Sequence, residues 1–266
     1  MIVVGELINS SREAVYRAIE VRDEKPLLEL AKIQQDRGAD YIDVNCSAFG
    51  TDEESSLIWL ITLIQNGLEE VEISLDSPNP ETLLRVLPHV KGRPLINSIV
   101  ADSPLLLEVV RAAKERQARV VGLCMSGSSL PKTPGESAEF AMQLISAAEA
   151  SGFPLSDLFL DPLVRSVSIE PNASQLFRES MQAIKSLRPD AKTICGLSNI
   201  SFGMPARRAL NRAFLPIAIA SGLDAVILDP TDRLLMSALH AAKALTDPVN
   251  GVTDYIAAYR AGHLVT

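Results

Sequence analysis

Short apolar and β-branched runs recur along the chain: IVVGELI (2–8), DYIDVNC (40–46), EISLDS (72–77), PLINSIV (94–100), RVVGLCM (119–125), DLFLDP (157–162), TICGLSN (193–199) and DAVILDP (224–230). Their lengths and residue types predict buried strands. Between them apolar positions repeat at helical spacing, as in SLIWLITLIQNGL (56–68), PLLLEVVRAAKERQ (104–117), GESAEFAMQLISAAEASG (135–152) and NRAFLPIAIASG (211–222). Two more helices are expected around 11–21 and 26–37. Gly38, Gly67, Gly152 and Gly222 stand at the helix ends, where a left-handed residue commonly closes the last turn. Strand followed by helix, eight times over, predicts a parallel sheet closed into a (β/α)8 barrel. No linker or low-complexity tract interrupts residues 1–266, so the chain reads as one domain. An open doubly wound sheet of the dinucleotide type would carry GxGxxG, and the chain has none.

The strand ends are polar where the apolar runs would otherwise continue. They carry Glu6 and Asn9, Asp43 and Asn45, Asp76, Asn97, Met125 with Ser126, Asp161, Ser198 with Asn199, and Asp229. In a barrel these ends converge on the face that holds the chemistry. For any single Asp the bland alternative is a helix cap or a turn, Asp76 preceding SPNPE and Asp161 preceding a proline. A whole ring of them is poorly explained that way.

The ring consists of carboxylates and carboxamides with essentially no Lys, Arg or His at the tips. A Schiff-base aldolase would need a strand-end lysine, and the nearest, Lys132, lies in a loop. A metal-dependent hydrolase would need clustered histidines, whereas His89, His240 and His263 are scattered and read as ordinary surface residues. A dedicated phosphate site would need basic residues or a glycine-rich loop after strands 7 and 8. Asp and Asn instead suit a neutral heterocycle with an amidine-like edge, whose N–H and NH2 donors meet a carboxylate in a two-bond fork; the 2-amino-4-oxo edge of a pterin is such a group.

The stretches LDS (75–77), INS (96–98), LDP (160–162) and above all GLSNISFGMPARRALNRAFL (196–215) resemble the methyltetrahydrofolate:corrinoid protein methyltransferases and the folate module of cobalamin-dependent methionine synthase. The resemblance runs from VVGELIN to GLDAVILDP. It implies a pterin-binding TIM barrel, usually dimeric, that passes a methyl group between N5 of tetrahydrofolate and the cobalt of a corrinoid carried by another protein or domain. Carried onto this chain, it makes Asp76, Asn97 and Asp161 pterin binders, with Asp161 making the forked contact. Asn199 stands near N5 and, with Asp76, takes the catalytic role. Asp43, Asn45 and Ser198 line the same end, and Arg207 matches a further position of the motif. Phe202 departs from the pattern, since some corrinoid/iron–sulfur-protein enzymes have Gln there. A dihydropteroate synthase-like enzyme and a non-catalytic pterin-binding protein are the alternatives; the first would want basic residues where the ends of strands 7 and 8 read SNIS and LDPT.

Composition narrows the partners. The formal charge is −8, from 33 acidic and 25 basic residues, with no Lys/Arg run longer than two, which argues against nucleic acid and anionic membranes. No apolar run approaches the ~20 residues of a membrane span, and the N-terminal stretch lacks the features of a signal peptide. A soluble, cytoplasmic enzyme is expected. Cys46, Cys124 and Cys195 are odd in number and read as buried thiols. The chain has neither the DxHxxG pattern of a cobalamin domain nor a cysteine-rich zinc motif. Cobalamin is therefore expected on the partner, with no metal held by this chain. No side chain stands out in the sequence as an acid at neutral pH.

Overall fold

The computed structural model describes residues 1–127 and 129–265. Eight parallel strands pair in sequence order and close into a barrel, with β8 returning to β1. They are β1 (Ile2–Asn9), β2 (Tyr41–Asn45), β3 (Glu72–Asp76), β4 (Leu95–Val100), β5 (Arg119–Leu123), β6 (Leu158–Asp161), β7 (Lys192–Gly196) and β8 (Ala225–Leu228). The intervening helices are α1 (Glu13–Glu20), α2 (Glu24–Asp36), α3 (Glu53–Gly67), α4 (Pro80–Val86), α5 (Leu106–Glu115), α6 (Pro134–Ala150), α7 (Ala173–Leu187) and α8 (Arg207–Ala220), with α9 (Arg233–Thr246) and α10 (Gly251–Arg260) after β8.

Period-two alternation along the strands sorts their side chains into two cores. One set, including Ile42, Val44, Ile73 and Leu75, packs outward against the helices. The other faces inward and plugs the barrel with Val4, Tyr41, Leu95, Val121, Phe159, Ile194 and Ala225. That plug is dry and apolar, and it decides where polar chemistry can begin. Two residues further along, on the same inward face, stand Glu6, Asp43, Asn97, Asp161, Gly196 and Ile227.

Three expectations are corrected here. The apolar run TICGLSN does not stay a strand to Asn199: β7 stops at Gly196, and Leu197–Ser201 coil into a 3-10 turn. Ser198 and Asn199 therefore sit on a tight turn above the strand end. Gly38, Gly152 and Gly222 adopt positive φ just past their helices, but Gly67 does not; it ends α3, and a side chain there would collide with Leu28 of α2. His240 is not a plain surface residue, because it is half-buried and its Nδ1 has no hydrogen-bond partner among the described residues.

The capping explanation for the acidic strand ends also fails where it can be checked. Helix α4 is capped by Asn79, whose Oδ1 accepts from Glu81 N at 3.0 Å, not by Asp76. Asp161 precedes no helix start. Asp229 binds its own turn through Thr231 N at 2.9 Å, while Asp232 caps α9.

Candidate active site

Above the apolar plug the barrel opens into a cavity of about 740 Å³, within the usual size for a small-molecule site. Its walls include Glu6, Asp43, Asp76, Asn97, Gly196, Ser198, Asn199 and Arg207. Asn45 and Asp161 are not among these wall residues; both are buried, Asn45 against Asp76 and Asp161 with its carboxyl accepting from the backbone N–H of the wall residue Gly196. Asn45 donates from Nδ2 to Asp76 Oδ2 at 2.9 Å, and its own Oδ1 accepts from Ser10, from Ser47 N and from Ser47 Oγ. Both rotamer and amide direction of Asn45 are thereby fixed, so it serves Asp76.

Asp43, buried, and Asp76, half-buried, form a carboxyl pair. Asp43 Oδ1 accepts from Ser74 Oγ at 2.6 Å and from Asn97 Nδ2 at 3.1 Å. Burial pushes the pKa of both carboxyls up, and the charge on Asp43 pushes Asp76 well above the usual carboxylate range. Two carboxylates this close cannot both ionise in a dry site. Asp43 is held by two donors, and of the pair Asp76 is raised the further, by burial and then by the charge of Asp43.

Asp161 stands alone. It is 6% exposed, forms no ion pair among the described residues, and burial lifts its pKa to about 7 despite backbone N–H bonds from Leu163 and Gly196. Glu6 is raised as well, by burial first, with Ser198 and Arg12 opposing. The site therefore holds four carboxyls that burial raises above their ordinary range, Asp161 to about 7, which the sequence reading did not foresee. That reading lacked burial, the cause of each shift.

A stability consequence follows from Asp161. The folded protein keeps a proton that the unfolded chain loses near pH 4, so its contribution to stability falls as pH rises from about 4 to about 7 and stays low above. Asp161→Asn is expected to be more stable than the parent by about 4 kcal/mol at pH 8, with the gap closing toward pH 4. Urea unfolding at the two pH values checks this; a gap independent of pH would show that Asp161 is ionised in the folded chain.

The turn after β7 is fastened from three sides. Ser198 Oγ donates to Glu6 Oε1 at 2.7 Å, across the barrel seam. Arg207 Nη2 donates to Ser198 O at 2.8 Å and its Nε to Ser201 Oγ at 3.1 Å, while Asn211 Nδ2 reaches Ser198 Oγ at 3.4 Å. Asn199 sits on this anchored turn with its amide over Gly196, where a Cβ would lie 3.0 Å from Asn199 Nδ2. Among the described residues no side chain bonds the Asn199 amide. Its backbone is fixed and its amide is free to turn.

Sequence reasoning assigned no role to Glu6 and overlooked Arg12, Arg208 and Asn211, all of which reach the cavity wall. The arginines carry a legible signal. Arg12 occupies the N-cap of α1, and Arg207 and Arg208 open α8, both caps lacking a side-chain hydrogen bond. Positive charge at a helix N-terminus opposes the helix dipole and is stabilising only if something else requires it. Among the described residues no group of three or more His, Cys, Asp or Glu is arranged to hold a metal ion.

A closed eight-stranded barrel with buried carboxyls and carboxamides around its mouth defines a class of enzymes that bind flat, hydrogen-bonding heterocycles. The family model for pterin binding enzymes matches residues 5–229, and the chain belongs to that family. It is 31% identical over 267 residues to the methylcorrinoid:tetrahydrofolate methyltransferase of Eubacterium limosum, covering 99% of this chain and 98% of that protein. It is 29% identical to the methionine synthase of Mycobacterium tuberculosis over 89% of this chain, which spans 21% of that larger protein. Among solved structures, dihydropteroate synthase of Coxiella burnetii in complex with pteroic acid superposes with a TM-score of 0.69 at 15% identity, over 92% of this chain and 93% of that one. This last likeness is one of fold.

Proposed function

We infer that the chain is a methyltransferase that moves a methyl group between N5 of tetrahydrofolate and the cobalt of a corrinoid carried by a separate protein or domain. The observation that carries the reading is the cavity itself, whose floor offers acceptors and carboxamides in a dry setting, with cations confined to its rim. Such a floor suits a neutral pterin and rejects a phosphate.

In this reading Asp161 ionises when it receives the pterin's paired N–H donors, Asn97 and Asp43 flank the ring, and Asn45 fixes Asp76. Methyl transfer from the folate requires N5 to leave with a proton or a strong hydrogen bond, since a tertiary amine is otherwise a poor leaving group. The free amide of Asn199 can donate to N5 in one state and turn to accept in the other, and Asp76 takes the second catalytic role beside it. Arg207 acts through the turn, holding Ser198 and hence Asn199. The same geometry serves transfer in either direction.

The protein is proposed to work in the cytoplasm as a homodimer. Among the described residues no helix is long and apolar enough to cross a membrane. The loops 47–54 and 201–208 form the proposed docking rim for the corrinoid protein, which must bring cobalt within ~3–3.5 Å of the methyl carbon.

The purified protein is expected to be colourless and to bind methyltetrahydrofolate, transferring nothing until a reduced corrinoid is supplied. On addition of a corrinoid protein, or free cob(I)alamin at high concentration, cob(I) absorbance should decay to that of methylcob(III). Folate binding without consumption of cob(I) by any donor would reduce the chain to a pterin-binding protein.

A further inference from the structure

Glu6 and Asn9 both line the cavity, although they stand three apart on one strand. Successive side chains of a strand point to opposite faces, so a regular β1 would send Asn9 outward and turn Ile8 into the mouth. The strand is not regular. Gly5 lies opposite Ile42 of β2 and Ile8 opposite Val44, three steps along β1 against two along β2. The extra residue makes a bulge at Glu6 and Leu7, and it resets the alternation: Ile8 packs outward against the helices, and Asn9 faces the mouth.

A bulge takes a backbone group off the ladder, and a buried backbone group needs a partner. Here Leu7 N donates to Oε1 of Gln34 on α2, at 2.9 Å. Gln34 is fully buried and stands with Leu27 and Ala31 on the face of α2 that packs on the barrel. Its Nε2 is buried with no partner among the described residues. A side chain that leaves half of its amide unsatisfied in an apolar interface is a net cost there unless the other half is required. Gly5 makes the room, since a Cβ at that position would lie 2.5 Å from Gln34 Oε1.

What the bulge sets reaches the site along two short paths. Glu6 Oε1 accepts from Ser198 Oγ at 2.7 Å, on the turn that carries Asn199. Beyond Asn9, Ser10 N donates to Asn45 O at 2.9 Å and Ser10 Oγ to Asn45 Oδ1 at 3.2 Å, and Asn45 in turn donates to Asp76. A one-residue slip of β1 beyond Gly5 would displace both contacts at once.

We propose that Gln34 is a positioning residue for methyl transfer: through the Leu7 N–H it fixes the bulge in β1, and the bulge places Glu6 under the turn of Asn199 and Ser10 behind the Asn45–Asp76 pair. The inference rests on the methyltransferase reading of the site. Gln34 itself is no part of the cavity wall and acts entirely through the backbone of β1.

Gln34→Met keeps the bulk of the side chain and removes the acceptor, whereas Gln34→Glu keeps an acceptor in the same place. Three quantities are read for each: amide hydrogen exchange at Leu7, the Kd for 5-methyltetrahydrofolate by calorimetry, and single-turnover decay of cob(I). In Gln34→Met, exchange at Leu7 should rise while exchange at Val44 on β2 holds. Its kcat should fall about 10–100-fold, the scale of a misplacement of about 1 Å, with a smaller loss of affinity. Gln34→Glu should return exchange and kcat most of the way to the parent. Combined with Glu6→Ala, Gln34→Met should cost less than the two separate losses together, since both act on one path. Gly5→Ala presses on Gln34 Oε1 from the strand side without removing the amide, and should lower kcat in the same direction, so a second variant tests the same contact.

A folded Gln34→Met with the parent's kcat, unchanged exchange at Leu7, or losses that simply add to those of Glu6→Ala would overturn the positioning role and leave the methyltransferase reading standing. A parent protein that binds the folate but consumes no cob(I) would overturn both.

Discussion

Asp161→Ala is expected to weaken methyltetrahydrofolate binding by about 2–4 kcal/mol, because the pterin's paired donors lose their ionised acceptor in a desolvated site. The effect has a pH signature. The free protein's Asp161 has a pKa of about 7, and the pterin requires the charged form, so binding must expel a proton at lower pH. The affinity of the parent protein should therefore fall about tenfold per pH unit below neutrality and level off above it. In the variant this dependence should vanish across the same window. Calorimetry between pH 5.5 and 8.5, in buffers of different ionisation enthalpy, measures both the affinity and the proton released. Unchanged affinity in a folded variant would remove Asp161 from the pterin site.

Asn199→Ala separates chemistry from binding. Its amide has no partner among the described residues, so removing it leaves no buried group orphaned and the fold should tolerate the change. If the amide stabilises N5 chiefly in the transition state, kcat should drop by about 10²–10³ while the Kd for methyltetrahydrofolate moves little. Single-turnover decay of cob(I), set beside folate titration, reads the two quantities separately. Equal losses in rate and affinity would make Asn199 a uniform binding residue. Gly196→Ala is an independent check, since its new Cβ would press on the Asn199 amide from below and should reduce kcat in the same direction.

Much of the barrel was legible because burial on both faces leaves a direct mark. Strands sandwiched between an apolar plug and a ring of helices must be apolar throughout, and each such run stops where water returns. The ring of Asp and Asn could be read for the same reason: a polar residue on the inward face is costly anywhere except at the mouth. Boundaries were less legible. The run through Leu197 is apolar, yet β7 ends at Gly196, because Leu197 and Ile200 bury on a 3-10 turn as readily as they would on a strand.

Sequence by itself determined the order of elements, the sign and chemistry of the mouth, and, through the 196–215 motif, the family. It did so because these depend on residue type and spacing along one chain. Protonation and pairing depend on distances between strands, and only the tertiary structure decided them. Asp43 and Asp76 lie on neighbouring strands, Asp43 opposite Ser74 and Asp76 opposite Asn45, which brings two carboxyls into one site and raises both. Asp161 looks like its neighbours in sequence, but the fold buries it, and burial lifts its pKa to about 7. Arg12 and Arg208 are nearly two hundred residues apart and meet at one rim only because β8 closes on β1. Closure of the barrel brings the chain's two ends together and so decides which charges a bound ligand meets.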